Sequence, residues 1–200
     1  MRVGSLFSGI GGIDLGLERA GFDIAWQCEL DDYCCRVLDR HWPGLPRYRD
    51  IREIGDQLPP VDMLAGGFPC QDVSGAGRRE GLTKENRSGL WHEFGRLIGL
   101  VRPRYVLVEN VPGLLVRGMD AVLGTLCDLG YDAEWRIISA ADVGAPHLRK
   151  RVWIVGYAGR VDGRDEAAGR QAGSAAARAG GTTGHLADAD LDGRQELSAA

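Results

Sequence analysis

No uninterrupted apolar run in this sequence comes near the roughly 18 residues that cross a bilayer, so nothing in it predicts a membrane span. The opening stretch, Met1 to Phe7, also lacks the long apolar core and the small-residue cleavage site of a secretory leader. Cysteine is sparse and unpaired. There are five, none in a CxxC arrangement, and Cys34 and Cys35 are adjacent. An odd count with that spacing argues against a zinc knuckle or a disulfide framework, and reduced thiols fit a cytoplasmic protein. Positive charge is not in excess. With a formal net charge of −4, composition alone gives no electrostatic reason to expect a nucleic-acid partner. Aromatic residues vanish after Tyr157. From Ala158 to Ala200 there is no Phe, Trp or Tyr, and the only large aliphatics are Val161, Leu186, Leu191 and Leu197. That segment cannot bury enough apolar surface to offset its ordering entropy. Residues 158–200 are therefore expected to form a flexible tail or a linker.

What is present suits one α/β domain over residues 1–157. A chain of 200 residues with 44% hydrophobic content can build one sizeable core and not two. Apolar runs predict strands at 2–7, 22–28, 62–65, 105–109, 134–139 and 152–156. Amphipathic stretches predict helices at 12–20, 32–40, 88–101 and 119–129. Such alternation implies a largely parallel sheet with helices on both faces. Two basic clusters, Arg78, Arg79, Lys84 and Arg87, then Arg149-Lys150-Arg151, would on their own be solvated surface. Both lie beside chemically suggestive motifs.

The first motif is Phe7-Ser8-Gly9-Ile10-Gly11-Gly12, between the first strand and the first helix. A glycine turn there lets backbone approach a ligand and presents free amides to it. A dinucleotide fingerprint would need a third glycine where the chain has Asp14, so the NAD pattern fails. Glu29 ends the second strand, where a carboxylate can accept from both hydroxyls of a ribose. Asp50-Ile51 offers a carboxylate for an adenine amino group and an apolar edge for its ring.

The second motif is Gly66-Gly67-Phe68-Pro69-Cys70-Gln71, at the end of a buried strand. Chemistry in α/β sheets sits at that end of the strands. A thiol whose ordinary pKa is about 8.5 becomes nucleophilic when positive charge favours thiolate, and the following loop is basic. Glu109-Asn110-Val111 closes the strand at 105–109. A partly buried glutamate there could deliver a proton near neutrality. Arg149 and Arg151, two apart before the last strand, fall on one side and supply fixed cations near the same edge.

Taken together and in this order, the glycine turn, Glu29, Asp50-Ile51, the Pro69-Cys70 loop, Glu109-Asn110-Val111 and the paired arginines resemble the cytosine-5 DNA methyltransferases, from about Val3 to Gly156. The resemblance implies a Rossmann-like fold that binds S-adenosylmethionine (SAM). It implies that Phe7, Gly9, Ile10, Gly11 and Gly12 line the SAM pocket, that Glu29 holds the ribose, and that Leu30, Asp50 and Ile51 meet adenine. Pro69 and Leu90 would close the pocket near the methyl donor. Cys70 would be the nucleophile, Glu109 would engage the base, and Arg151, supported by Arg149, would hold the base carbonyl oxygen. Residues 71–87 would form the loop that closes over double-stranded DNA, with Gln71, Ser74 and Arg87 at the DNA. The expected setting is a bacterial or phage-infected cell.

The pattern departs from the family in three places. His147 stands where the arginine motif usually begins with Gln, and Leu30 stands where Trp often stacks on adenine. Nothing after Tyr157 resembles the target-recognition domain or the last motif, which completes the SAM site. A truncated or split enzyme is therefore expected, with a second polypeptide as a candidate partner. The rival readings are a SAM- or DNA-binding fragment without turnover, an NAD-dependent oxidoreductase, and an RNA-directed relative.

Overall fold

The computed structural model describes residues 1–69 and 90–159. They form a seven-stranded sheet in the order β3-β2-β1-β4-β5-β7-β6. The strands are β1 (Arg2–Leu6), β2 (Asp23–Cys28), β3 (Arg47–Tyr48), β4 (Met63–Gly66), β5 (Tyr105–Asn110), β6 (Tyr131–Ser139) and β7 (Lys150–Ala158). The helices are α1 (Gly12–Arg19), α2 (Asp32–His41), α3 (Trp91–Val101), α4 (Leu114–Arg117) and α5 (Met119–Asp128).

Alternation along the strands sorts the core into two layers. Leu6, Leu64, Val106, Val108, Val152 and Ile154 share one layer with Trp91, Phe94, Leu97 and Ile98 of α3 and Val122 and Leu126 of α5. Val3, Ile24, Met63 and Ala65 face the other way, onto Leu17 of α1. Helices thus cover both faces, as the alternation implies. The apolar positions of α3 recur at the three-and-four spacing of a buried helical stripe. Complete burial of a side chain such as Phe94 stabilises the fold by roughly 1.5–3 kcal/mol. Local signals fix the ends of α2. The Asp31 side chain accepts from the Cys34 amide, while Arg40 and His41 occupy the last turn, matching the helix dipole at both termini.

The sheet is less parallel than the alternation suggests. The contacts of β3, β2, β1, β4 and β5 are parallel, but β7 runs antiparallel to both β5 and β6. β6 and β7 are joined through residues 140–149, which hold a 3-10 turn (Ala140–Val143) and no crossover helix, so the last pair is an antiparallel hairpin with a long connection. β6 also begins at Tyr131, earlier than expected. Gly130 turns the chain with a positive φ of 84°, and the buried Tyr131 hydroxyl donates to the Pro103 carbonyl at 2.5 Å. Polar Asp132 and Glu134 hide this start because β6 is an edge strand, mostly exposed. On the face opposite Ile154, Val155 is 40% exposed and Glu134 and Arg136 are open beside it.

Candidate active site at the carboxyl edge of the sheet

The parallel strands β1, β2, β4 and β5 end on one edge, where the motifs gather. The glycine turn leaves β1 with Phe7, Gly9 and Gly11 all at positive φ. Glu29, at the end of β2, grips this turn. Its Oε2 accepts from the Gly9 amide at 2.7 Å and its Oε1 from the Asp31 amide at 2.8 Å. Each oxygen keeps a second lone pair, so the carboxylate is fixed in place and still able to take two hydroxyl donors. A Cβ built on Gly9 or Gly12 would meet nothing within 4 Å, so open space lies over the turn. Ile10 and Leu30, apolar yet 59% and 60% exposed, stand on the same edge.

Aromatic contacts brace this end. Phe7 lies 6.4 Å from Phe94, Phe94 5.3 Å from Trp91, and Trp91 5.3 Å from Phe68. The stack ties the glycine turn to the start of α3 and to the loop after β4. Leu90 is half-buried against the same core, and Pro69 ends the described part of that loop. Ile51 is buried. Asp50 is engaged by its neighbour, accepting from the Arg52 backbone and guanidinium, and this bonding holds its carboxyl below the usual range. Arg96 of α3 donates to the Ile51 and Ile54 carbonyls and sets the height of that segment.

At the end of β5, Glu109 and Arg151 form an ion pair with Nε–Oε1 at 2.7 Å, both about one-fifth exposed. Antiparallel pairing makes this possible, because β7 starts where β5 ends, with Asn110 opposite Val152. Gly67 lies directly against Glu109: a Cβ there would stand 2.8 Å from Oε2. The glycine is needed for that close approach. Asn110 is buried, donates to the Phe68 carbonyl at 3.2 Å and accepts from the Val111 amide at 2.8 Å. It fastens the Phe68-Pro69 segment to β5, a role that its place in the motif does not reveal. Arg149 stays exposed, with its carbonyl bonded to the Ala140 amide, and only Arg151 of the pair engages Glu109. Cys70, Gln71, Ser74 and Arg87 lie outside the described residues, as do residues 160–200. Of the other thiols, burial pushes Cys28 up to about 12 and Cys34 to about 11, which disfavours them as nucleophiles.

Residues 1–172 match the family described as C-5 cytosine-specific DNA methylase. The chain belongs to that family. Among similar members is the Type II methyltransferase M2.BsuMI of Bacillus subtilis (strain 168). It is 42% identical over 163 residues, covering 78% of this chain and 41% of the relative. Another is M.FnuDI of Fusobacterium nucleatum, 37% identical over 162 residues, covering 78% and 47%. The chain thus spans less than half the length of these relatives. A crystal structure of a DNA modification methyltransferase encoded within an E. coli prophage superposes with a TM-score of 0.66 at 28% identity, over 79% of this chain and 47% of that one. Spodoptera frugiperda DNMT2 superposes with a TM-score of 0.67 over 80% and 51%, at 20% identity, a likeness of fold. The cytosine-5 methylase family thus accounts for the Rossmann-like sheet and for the order of motifs along its edge. Among the described residues no helix is long and apolar enough to cross a membrane.

Proposed function

We propose that this chain is the catalytic part of a DNA cytosine-5 methyltransferase that uses SAM, forms a covalent Cys70 intermediate on a flipped cytosine, and depends on a second polypeptide for full activity. The observation that carries the reading is the Glu109–Arg151 pair against Gly67, three residues before Cys70. An acid and a fixed cation meet beside the loop that bears the thiol.

The residues present fit the cofactor. Glu29 accepts the ribose hydroxyls, the open glycine turn admits the methionine part, and Ile10, Leu30 and Ile51 bound the adenine with Asp50 near its amino group. Phe7, Gly11 and Gly12 shape the turn, and Pro69 and Leu90 close the far end. Bound there, SAM supplies an electrophilic methyl group on a sulfonium. Carbon-5 of cytosine is a weak nucleophile, so the protein must enrich it. The Cys70 thiolate adds to carbon-6, and the displaced electron pair makes carbon-5 enamine-like. Glu109 stabilises the ring at nitrogen 3, while Arg151, supported by Arg149, holds the carbonyl oxygen. After methylation, water takes the proton from carbon-5, the C–H electron pair re-forms the C5–C6 double bond, and Cys70 departs as thiolate. A stacked base cannot reach these groups, so the cytosine is extruded from the duplex. Residues 71–87, with Gln71, Ser74 and Arg87, contact the DNA around it. The reaction belongs in the cytoplasm of a bacterial or phage-infected cell.

The test is covalent capture on duplex DNA containing 5-fluorocytosine, where the carbon-5 proton is replaced and the enzyme stays attached. The chain, supplied with a second polypeptide that carries the family's remaining motifs, forms a denaturation-resistant adduct, and Cys70→Ala forms none. An adduct that survives Cys70→Ala refutes the nucleophile assignment.

A further inference from the structure

Buried polar side chains gather beneath the glycine turn. Ser5, Ser8, Asp14 and Gln27 are at most 8% exposed. Their meeting depends on an irregularity in the pairing of β1 with β2. The register slips between Val3 and Gly4, so that Ser5 stands opposite Gln27 and the two point to one face. Gly4 allows the slip, because a Cβ there would run into the Trp26 ring at 2.2 Å. Arg47 of β3 donates to Gln27 Oε1 at 2.9 Å and pairs with Asp39 of α2. Arginine can only donate, so it fixes the orientation of the amide and leaves Nε2 turned elsewhere. That Nε2 and both carboxylate oxygens of the fully buried Asp14 have no hydrogen-bond partner among the described residues.

Asp14 sits in the first turn of α1. Ser5 and Gln27 are near enough to favour its ionised form, yet short of full hydrogen bonds. Burial outweighs them and, with Glu18 one turn on, raises its pKa to about 6. The Ser5 and Ser8 hydroxyls lie 2.8 Å apart and either can donate. The Ser8 hydroxyl is also 3.4 Å from the Ser5 and Cys28 carbonyls. The backbone of Ser8 anchors the turn, donating to the Cys28 carbonyl and accepting from the Gly11 amide.

A carboxylate only accepts, so it draws the Ser5 hydroxyl toward itself. Ser5 Oγ must then accept from Ser8. A protonated Asp14 can donate instead, which reverses the pair and releases the Ser8 hydroxyl toward the carbonyls. We propose that Asp14 is a positioning residue for the cofactor turn, its carboxylate setting the sense of the Ser5–Ser8 pair and thereby the seat of residues 8–11 on β1 and β2.

The test begins with the full chain free of ligand. Amide hydrogen exchange across residues 8–12, corrected for intrinsic pH dependence, is compared in wild type, Asp14→Asn, Ser5→Ala and the double variant. At pH 7.5 each single change accelerates exchange about fivefold, the weight of one hydrogen bond, and the double variant goes no further. Wild type loses protection as pH falls through about 6, while Asp14→Asn lacks that step. The other charged groups around the cluster, Glu18, Glu29, Asp39 and Arg47, are common to both proteins and cancel in the comparison. Additive effects in the double variant, or a pH profile unchanged by Asp14→Asn, overturn the proposal. Should Asp14→Asn fail to fold, Ser5→Ala decides: unchanged exchange, or an unaltered acid step, refutes it. A second arm rests on the cofactor reading above. Calorimetry with S-adenosylhomocysteine finds affinity weakened about fivefold in either single variant. If wild type binds none, the cofactor reading fails and the exchange data still judge the role of Asp14.

Discussion

At the scale of single residues, the site contains groups held in positions that cost stability. Asp14 has an ordinary pKa of 3.8, raised to about 6 by burial in the fold. The folded chain therefore holds its proton more tightly than the unfolded chain. This contribution favours folding fully below about pH 4, and it is lost as pH rises through 6. The shift corresponds to about 3 kcal/mol. Asp14→Asn, which removes the buried charge, should raise the thermal midpoint by several degrees at pH 7.5 and change little at pH 4. Melts at the two values check this, and a lower midpoint at pH 7.5 contradicts it. The sequence exposes Asp14 only as a missing glycine, because its neighbours come from two other strands and a register slip. Gly67 is a second case. Gly67→Ala should leave the melting curve nearly unchanged while cutting the rate of covalent capture at least tenfold, because the added Cβ must displace the Glu109 carboxylate. Capture at the wild-type rate would show that Glu109 is not needed where it stands.

At the scale of elements, the strands that read clearly in the sequence are the ones buried on both faces. Met63 to Ala65 and Val106 to Val108 form apolar runs, and Val3 and Leu6 flank a small-residue pair, patterns that central strands explain. What stayed hidden were short or one-sided pieces. β3 is two residues long, α4 is a single turn, and the start of β6 is polar because its face is open. The Glu109–Arg151 contact was hidden for another reason. Both residues are visible as motif members, but their meeting requires β7 to run against β5. Asn110 shows how elements are fastened together. Asn110→Ala removes its bonds to the Phe68 carbonyl and the Val111 amide, leaving buried groups unpaired at a cost of about 1–3 kcal/mol. Urea unfolding should show that loss, with an unchanged slope. A loss below about 0.5 kcal/mol would mean that the loop holds without this bond.

At the scale of the molecule, the described residues bring the glycine turn, Glu29 and the Glu109–Arg151 pair to one edge of the sheet and leave one sheet face only partly covered. Val155 lies open there beside Glu134 and Arg136, and the chain spans about half or less of the length of its curated relatives. On the proposed reading, the purified chain methylates duplex DNA weakly or not at all. A polypeptide carrying the family's last motif should restore activity and raise the melting midpoint together. Robust sequence-specific methylation by the chain alone would contradict this.

The antiparallel return of β7 also has a consequence in time. A ribosome delivers β1 through β5 before the segment that carries Arg151. Until β7 emerges and docks between β5 and the still-unpaired β6, the Glu109 carboxylate is without its Arg151 partner. The parallel half of the sheet can assemble during synthesis, whereas the acid–cation pair is completed only by the final strand of the described domain. Nascent chains arrested before residue 150 should therefore carry the glycine turn without the Glu109–Arg151 pair, so the two halves of the site mature at separate moments of translation.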